Sequence, residues 1–219
     1  MLKAKRKFSK KELKQDQFVI KTLEAKDYIE DNARTLAMAA LGVIVVIFLI
    51  YMYMNSRSGA EVEAAAMLSR AQVESSDPVT LYNQIISEYG GTDAAGKATF
   101  LLAKFYFEQG DKIQAKQYFK DYLDDYDAKN VMTQAAMAGY GDCLFAEGNN
   151  EEAARYYERA ANLEPDFPQA VAYLYSAAAS YEKAGDMEKA RDLAQRILDD
   201  FEDQNFKGRA EVLLERTAL

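Results

Sequence analysis

The sequence contains no His, no Trp, one Cys and three Pro in 219 residues. The absence of His removes the commonest zinc ligand and the side chain that most often performs general acid–base chemistry near pH 7. A single cysteine, Cys143, excludes an internal disulfide, a CxxC redox pair and a cysteine-based zinc cluster. Because these absences disfavour several large enzyme classes, we expect a non-enzymatic protein with no catalytic residue, no cofactor and no metal.

The net charge of −8 argues against a protein that binds nucleic acid. That charge is unevenly distributed along the chain. Residues 1–34 contain ten basic and six acidic side chains, a net charge of +4, and residues 35–54 contain none. Residues 55–219 contain 17 basic and 29 acidic side chains, a net charge of −12. The sequence therefore divides into a basic arm, an uncharged block and an acidic domain.

The uncharged block runs from Thr35 to Met54 and has the sequence TLAMAALGVIVVIFLIYMYM. Twenty helical residues at about 1.5 Å each span roughly the 30 Å hydrocarbon layer of a bilayer. Arg34 and Arg57 bracket the block, and Tyr51 and Tyr53 stand where an interfacial aromatic belt is expected. The pattern predicts a transmembrane helix over residues 35–54.

A cleaved signal peptide is the main alternative for this block. Its apolar region would have about 7–15 residues, would begin sooner and would end at a small-x-small cleavage site. Here more than thirty residues precede a longer apolar run. Cys143 is the only cysteine, so no cysteine follows the block as a lipoprotein anchor would require. We interpret the block as an uncleaved anchor.

The flanking charges predict the orientation of the anchor. Ten Lys and Arg residues precede it, whereas only Arg57 and Arg70 lie in the twenty residues that follow. By the positive-inside rule the N-terminus is cytoplasmic and residues 55–219 are translocated. The sequence contains no Asn-x-Ser/Thr glycosylation site, so nothing in it indicates a eukaryotic lumen. We expect a single-pass protein of a bacterial inner membrane with a periplasmic C-terminal domain.

The arm, residues 1–34, is predicted to be partly helical, because Ser9 and Glu12 have the spacing of a capping box. Seven of its basic side chains cluster near the N-terminus: Lys3, Lys5, Arg6, Lys7, Lys10, Lys11 and Lys14. Such a cluster can hold anionic lipid at about 1 kcal/mol per contact. It can also contact ribosomal RNA or another protein, or do no more than set the topology.

Three segments of the acidic domain align on Gly110, Gly148 and Gly185. Small, aromatic or aliphatic residues recur seven and four positions before each glycine and five, nine and twelve positions after it: Ala103, Gly141 and Ala178; Tyr106, Leu144 and Tyr181; Ala115, Ala153 and Ala190; Phe119, Tyr157 and Ala194; Tyr122, Ala160 and Ile197. Two antiparallel helices need small residues where their backbones approach, aromatic rings between them and a tight turn. The pattern therefore predicts repeated helix pairs.

This pattern resembles the tetratricopeptide repeat, a unit of 34 residues. The segment from Met137 to Pro165 is the nearest match; the other two copies lack the proline, and none has the tryptophan. The resemblance implies an all-α solenoid of antiparallel helix pairs, with three repeats over residues 95–203. Residues 55–94 are interpreted as a linker helix and a degenerate first repeat, and residues 204–219 as a capping helix.

The resemblance also implies a binding groove lined by first-helix residues. By alignment on the glycines these are Lys97, Phe100, Lys104, Phe107, Ala138, Asp142, Phe145, Ala172 and Tyr175. The family's carboxylate clamp uses Lys and Asn at such positions, and only Lys104 is of that kind. We therefore do not expect the groove to capture the C-terminal carboxylate of a partner. Exposed rings at Phe100, Phe107 and Tyr175 would suit apolar stretches of a partner. The alternative is that these rings pack against neighbouring helices.

In this interpretation the other polar clusters have no catalytic or ligand-binding role. The acidic pairs, such as Asp124 and Asp125, point to different sides of a helix and are expected to be solvated. Cys143 is expected to be a small buried residue. Residues 90–92, Gly-Gly-Thr, follow a helix rather than a strand, so they predict a helix stop and not a phosphate loop.

The order of arm, anchor and repeat domain resembles the ancillary SecYEG translocon subunit family. The resemblance implies a protein-binding scaffold beside the translocon, whose partners are translocon subunits, chaperones or secreted chains. The alternative is a structural assembly factor for outer-membrane protein insertion, cell division or polysaccharide export. An enzyme is a distant third interpretation.

Overall fold

The computed structural model describes residues 21–22, 26, 28–73, 77–126 and 128–218. These residues form helices and no strand, so the all-α prediction is confirmed. The helices are α1 Ala33–Val73, α2 Pro78–Glu88, α3 Asp93–Glu108, α4 Lys112–Asp125, α5 Val131–Ala146, α6 Asn150–Leu163, α7 Ala170–Ala184, α8 Met187–Asp200 and α9 Gln204–Thr217. The chain divides into two units, Met1–Ser56 and Arg57–Leu219.

The first unit contains the apolar part of α1. Large apolar side chains from Leu36 to Met52 are exposed on every side of the helix, by 39% at Leu36 and 67% at Tyr51. A helix that is apolar all round has no face suited to water, and it requires a bilayer or a protein surround. By length and composition this helix is able to cross a membrane. The basic cluster of the arm, with Ser9 and Glu12, lies outside the described residues.

The second unit is built from helix pairs that follow the predicted glycines. Residues 109–111, 147–149 and 185–186 connect α3 to α4, α5 to α6 and α7 to α8. Gly110, Gly148 and Gly185 have φ angles of 82°, 83° and 86°, a left-handed conformation that other residues adopt only with strain. Connections so short turn each second helix back along the first. The connections between pairs, residues 126–130 and 164–169, are longer, as the spacing predicts.

Polar side chains mark where the helices begin. Thr92 accepts a hydrogen bond from the backbone N–H of residue 95 at 3.1 Å, and Asn130 from that of residue 133 at 2.9 Å. Asp111 and Asp186 do the same for α4 and α8. Each cap satisfies one of the N–H groups that a helix leaves unpaired at its start. These residues place the turns at fixed points along the chain.

The core consists of the residues that recur around the glycines. All the aligned positions are buried except Tyr106, which is half-buried. The seven alanines at these positions are inaccessible to solvent: Ala103, Ala115, Ala153, Ala160, Ala178, Ala190 and Ala194. At Gly141 an added Cβ would lie 3.1 Å from the ring of Tyr157, so glycine lets that ring approach the α5 backbone. The predicted packing of small residues against aromatic rings is present.

Additional helices cover both ends of the repeat array. Ala64, Leu68 and Ala71 of α1 pack with Tyr82 and Ile85 in a second, smaller apolar cluster. The Glu61 carboxylate accepts hydrogen bonds from the first two backbone N–H groups of α3 at 2.9 and 3.2 Å, which fastens this part of α1 to the array.

At the other end of the array, α9 buries Ala210 and Leu213 and half-buries Leu214. This is the inward face expected of a capping helix.

A groove between helices α3 and α5

The inner face of α3 carries four of the predicted groove residues at helical spacing. Lys97, Phe100, Lys104 and Phe107 follow one another at intervals of three or four residues and therefore share one side of the helix. Both lysines are exposed and both phenylalanines are half-buried. We call the surface between α3 and α5, floored by aromatic side chains of α4, the groove. It contains two pockets.

The first pocket, called the N-terminal pocket, lies between the first turns of α3 and α5. Its volume is about 470 Å³. Tyr122 and Tyr126 supply aromatic surface, and Met132 supplies aliphatic surface. Lys97 and Asn130 stand at its polar edges.

The second pocket, called the C-terminal pocket, brings together five of the nine predicted residues. Its volume is about 270 Å³. The five are Phe100, Lys104, Phe107, Ala138 and Asp142. Tyr173 of α7 and Glu108 of α3 complete its wall. The walls are mainly apolar, with charged groups at the rim.

Phe119 forms the floor of the C-terminal pocket, and Gly139 makes room for it. The Phe119 ring packs edge-on against Phe100 at 6.1 Å and against Phe107 at 6.4 Å between ring centroids. A Cβ added at Gly139 would lie less than 3 Å from three atoms of the Phe119 ring. The ring can therefore lie against the α5 backbone only because residue 139 has no side chain.

Asp142 is an exposed residue of the pocket wall whose carboxylate is held by a hydrogen bond. Its Oδ1 accepts a hydrogen bond from the Tyr157 hydroxyl at 2.6 Å. Burial raises the pKa of the Asp142 carboxyl, while the Tyr157 hydrogen bond and the charge of Lys112 oppose that shift. Burial and the nearby Asp142 charge also raise the pKa of Tyr157, so this hydroxyl stays protonated as the donor.

Lys112 covers one face of Phe107, a lining residue of the C-terminal pocket. Its Nζ stands 2.9 Å from the centroid of the Phe107 ring and donates to the Phe107 carbonyl at 3.3 Å. The ammonium group is thus held over the ring face by a cation–π contact. Phe107 consequently offers only its other side to the pocket.

Comparisons with known proteins identify the repeats. Residues 97–128 and residues 144–208 each match a family model described as a tetratricopeptide repeat. The chain contains tetratricopeptide repeats. Such repeats form scaffolds for protein–protein interaction. No curated protein sequence matches the chain.

Solved structures with the same arrangement of tetratricopeptide-like repeats include two of a putative kinesin light chain from Podosopora anserina with nearly identical repeats. The first is 14% identical, has a TM-score of 0.53 and matches over 73% of this chain and 84% of that one. A Q17M variant is 15% identical, has a TM-score of 0.50 and matches over 74% and 92%. At this identity the likeness concerns the fold alone.

The structure separates the remaining predicted residues from the C-terminal pocket. Phe145 is 39% exposed at the end of α5, Ala172 is half-buried on α7, and Lys97 lines the N-terminal pocket. Tyr175 is covered by the capping helix α9.

Tyr175 is half-buried, as are Phe100 and Phe107, and it contacts the capping helix α9. Its ring lies 6.0 Å from that of Phe206, and the Arg209 guanidinium stacks on it at 4.0 Å. These are contacts of the kind that the alternative expectation, packing against a neighbouring helix, describes.

Several lining residues were absent from the sequence prediction. Phe119, Tyr122 and Gly139 were assigned to the core or left unassigned, and Tyr173 belongs to the next repeat. The sequence signal for this contact was Gly139 itself, a glycine inside a predicted helix, where it is unfavourable unless a close approach requires it.

The acidic pairs and Cys143 do not line either pocket. Both residues of the pair Asp124 and Asp125 are exposed, and the described residues contain no group of three potential metal ligands. Cys143 is inaccessible to solvent, and burial raises the pKa of its thiol to about 11. Gly91, with a φ of 80°, follows the end of α2 and stops that helix.

Proposed function

We propose that this protein is a membrane-tethered scaffold that binds other proteins through the groove. The observation that carries the proposal is the C-terminal pocket, which three phenylalanine side chains line together with the charged side chains of Lys104, Glu108 and Asp142. A tetratricopeptide array offers such a surface without catalytic machinery, and we propose that the protein is not an enzyme.

The tether is the apolar part of α1. Its exposed apolar side chains leave no polar face, which supports insertion in a bilayer rather than packing in water. The excess of Lys and Arg before the block supports a cytoplasmic N-terminus and a translocated repeat domain. In a bacterium this corresponds to the inner membrane and the periplasm. The basic arm would then face the anionic cytoplasmic leaflet.

We further propose that the scaffold acts beside the Sec translocon and the periplasmic chaperone network. The support is the order of basic arm, anchor and acidic repeat domain, together with a groove that suits apolar segments. Chains that emerge unfolded from a translocon expose such segments. An assembly factor for another envelope complex would share the architecture but would have different neighbours.

Proximity labelling in living cells tests this proposal. A labelling enzyme fused after Leu219 in the full chain reports the compartment and the neighbours together. The proposal expects periplasmic proteins, with translocon subunits, chaperones or secreted chains enriched over a fusion that keeps residues 1–56 but lacks the repeats. Labelling confined to cytoplasmic proteins would contradict the topology. Enrichment of an outer-membrane, division or polysaccharide-export machinery without the translocon would favour the assembly factor.

A further inference from the structure

We infer that the groove binds an extended peptide segment with two apolar side chains four residues apart and an acidic side chain midway between them. This inference rests on the proposed function, because it specifies which protein segments the groove accepts. It depends on three properties of the two pockets: their size, their separation and the charges between them.

Each pocket has room for one large apolar side chain. An apolar cavity of about 150 Å³ is known to hold benzene. The N-terminal and C-terminal pockets measure about 470 and 270 Å³, so either can accept an aromatic ring or a branched aliphatic side chain. Their floors are Tyr122 and Phe119, two successive inward positions of the same helix α4. The pockets are therefore successive hollows in one channel.

The separation of the pockets selects the spacing of the two side chains. On α3 the N-terminal pocket is lined by residues 93–97 and the C-terminal pocket by residues 100–108. On α5 the corresponding ranges are 131–132 and 135–142. At about 1.5 Å per helical residue the pocket centres lie roughly 11 to 14 Å apart. An extended chain advances about 3.3 Å per residue, so side chains at positions i and i+4 reach both pockets.

The charges along the groove select the residue between them. Lys97 and Lys104 are exposed, share one face of α3 and form no ion pair within the part of the chain that the structure describes. Asp93, Glu108 and Asp142 line the outer ends of the same pockets, whereas Lys97 and Lys104 are the charged lining residues nearest the stretch between them. Seven helical residues separate the backbones of the two lysines by about 10 Å, so a carboxylate midway between the pockets lies between their ammonium groups. Lys116 and Lys120, on α4, are by contrast already paired with Glu147 and Asp124.

The groove ends where the chain covers itself. Lys112 caps Phe107 at the C-terminal end of α3. Phe206 and Arg209 cover Tyr175 on α7. The two pockets between α3 and α5 thus set the length of the recognised segment at about five residues.

Fluorescence anisotropy with labelled peptides tests the inference on the full chain in detergent micelles. The probe is a soluble Ser/Gly peptide with two phenylalanines at i and i+4 and a glutamate at i+2. Comparison peptides move the second phenylalanine to i+2 or i+6, or replace the glutamate with lysine. We expect the probe to bind at least about tenfold more tightly than either respaced peptide, since only one of their rings can be buried.

A charge swap tests the acidic position separately. In the double variant Lys97→Glu with Lys104→Glu, the probe should bind about tenfold more weakly and the lysine-centred peptide should bind better than the probe. Lys183→Glu, outside the groove, is the matched control and should leave both affinities unchanged. Circular dichroism confirms that each variant is folded.

The outcomes separate this inference from the proposed function. Equal affinity for all spacings, or a charge swap without effect, overturns the inference. If no peptide binds while proximity labelling still finds protein neighbours, the inference is wrong and the scaffold proposal stands. If proximity labelling finds none either, both are wrong.

Discussion

The contact between Gly139 and Phe119 yields the sharpest quantitative prediction. In Gly139→Ala the new methyl group would lie less than 3 Å from three ring atoms of Phe119, which is 3% exposed and enclosed by Phe100 and Phe107. Overpacking of this kind costs about 1–3 kcal/mol. Replacing glycine by alanine inside a helix recovers about 1 kcal/mol. We expect a net loss of stability of about 0–2 kcal/mol.

Gly208→Ala is a matched control for that variant. Gly208 lies inside α9, and a Cβ added there meets no atom within 4 Å. This variant should gain about 1 kcal/mol from helix propensity alone. The difference between the two variants isolates the steric term, which we expect to be about 1–3 kcal/mol.

Urea unfolding of the full chain in micelles, followed by circular dichroism at fixed detergent concentration, measures both variants. A second substitution, Phe119→Leu, removes the ring edge that the new methyl group meets. In that background Gly139→Ala should lower the free energy of unfolding by less than it does in the unaltered chain. Equal stability of Gly139→Ala and Gly208→Ala would refute the reasoning, because it would mean that Phe119 does not require the glycine.

Three further predictions concern other parts of the repeat domain. Glu61→Ala removes the carboxylate that caps α3 and should cost about 1–2 kcal/mol, against no change for the exposed control Glu211→Ala in the same urea assay. In the folded protein, burial raises the pKa of the Asp142 carboxyl above its ordinary 3.8. The protonated carboxyl therefore stabilises the fold, and this contribution is lost as the pH rises through the folded pKa. Asp142→Asn should therefore raise the melting temperature at pH 7 and leave it unchanged near pH 3. Cys143, with its pKa raised to about 11, should be alkylated slowly at pH 8 and faster in step with unfolding as urea is added.

Each of these three has an outcome that would contradict it. Equal loss of stability in Glu61→Ala and Glu211→Ala would mean that the capping contact contributes nothing. A lower melting temperature for Asp142→Asn at pH 7 would show that the charged form is favoured in the fold. Rapid alkylation of Cys143 in the native protein would mean that α5 opens locally.

The helix pairs of the repeat domain were predictable because local chemistry specifies them. Gly110, Gly148 and Gly185 adopt a backbone conformation that few other residues tolerate, and capping residues such as Asp111 and Asp186 follow the first and last of them directly. Small and aromatic residues then recur at the spacing at which two helices touch. These signals act within about twenty residues of each turn, so a sequence pattern captures them.

The pockets were only partly predictable because they depend on contacts between repeats. Helical spacing identified the inner face of α3, and alignment identified Ala138 and Asp142 on α5. The sequence pattern did not indicate that Phe119 lies against Gly139, since that contact depends on how closely two repeats approach. Nor did it indicate that α9 covers Tyr175, which depends on where the array ends.

Site-specific photo-crosslinking tests the central claim, that the groove is the surface that binds other proteins. A photoreactive amino acid is placed in the full chain, in its native membrane, at Lys104 on the groove or at Arg191 on the exposed face of α8. The account predicts defined adducts with envelope or secreted proteins from position 104, at least about fivefold more abundant than from position 191. Equal yields from both positions, or adducts from position 191 alone, would contradict it.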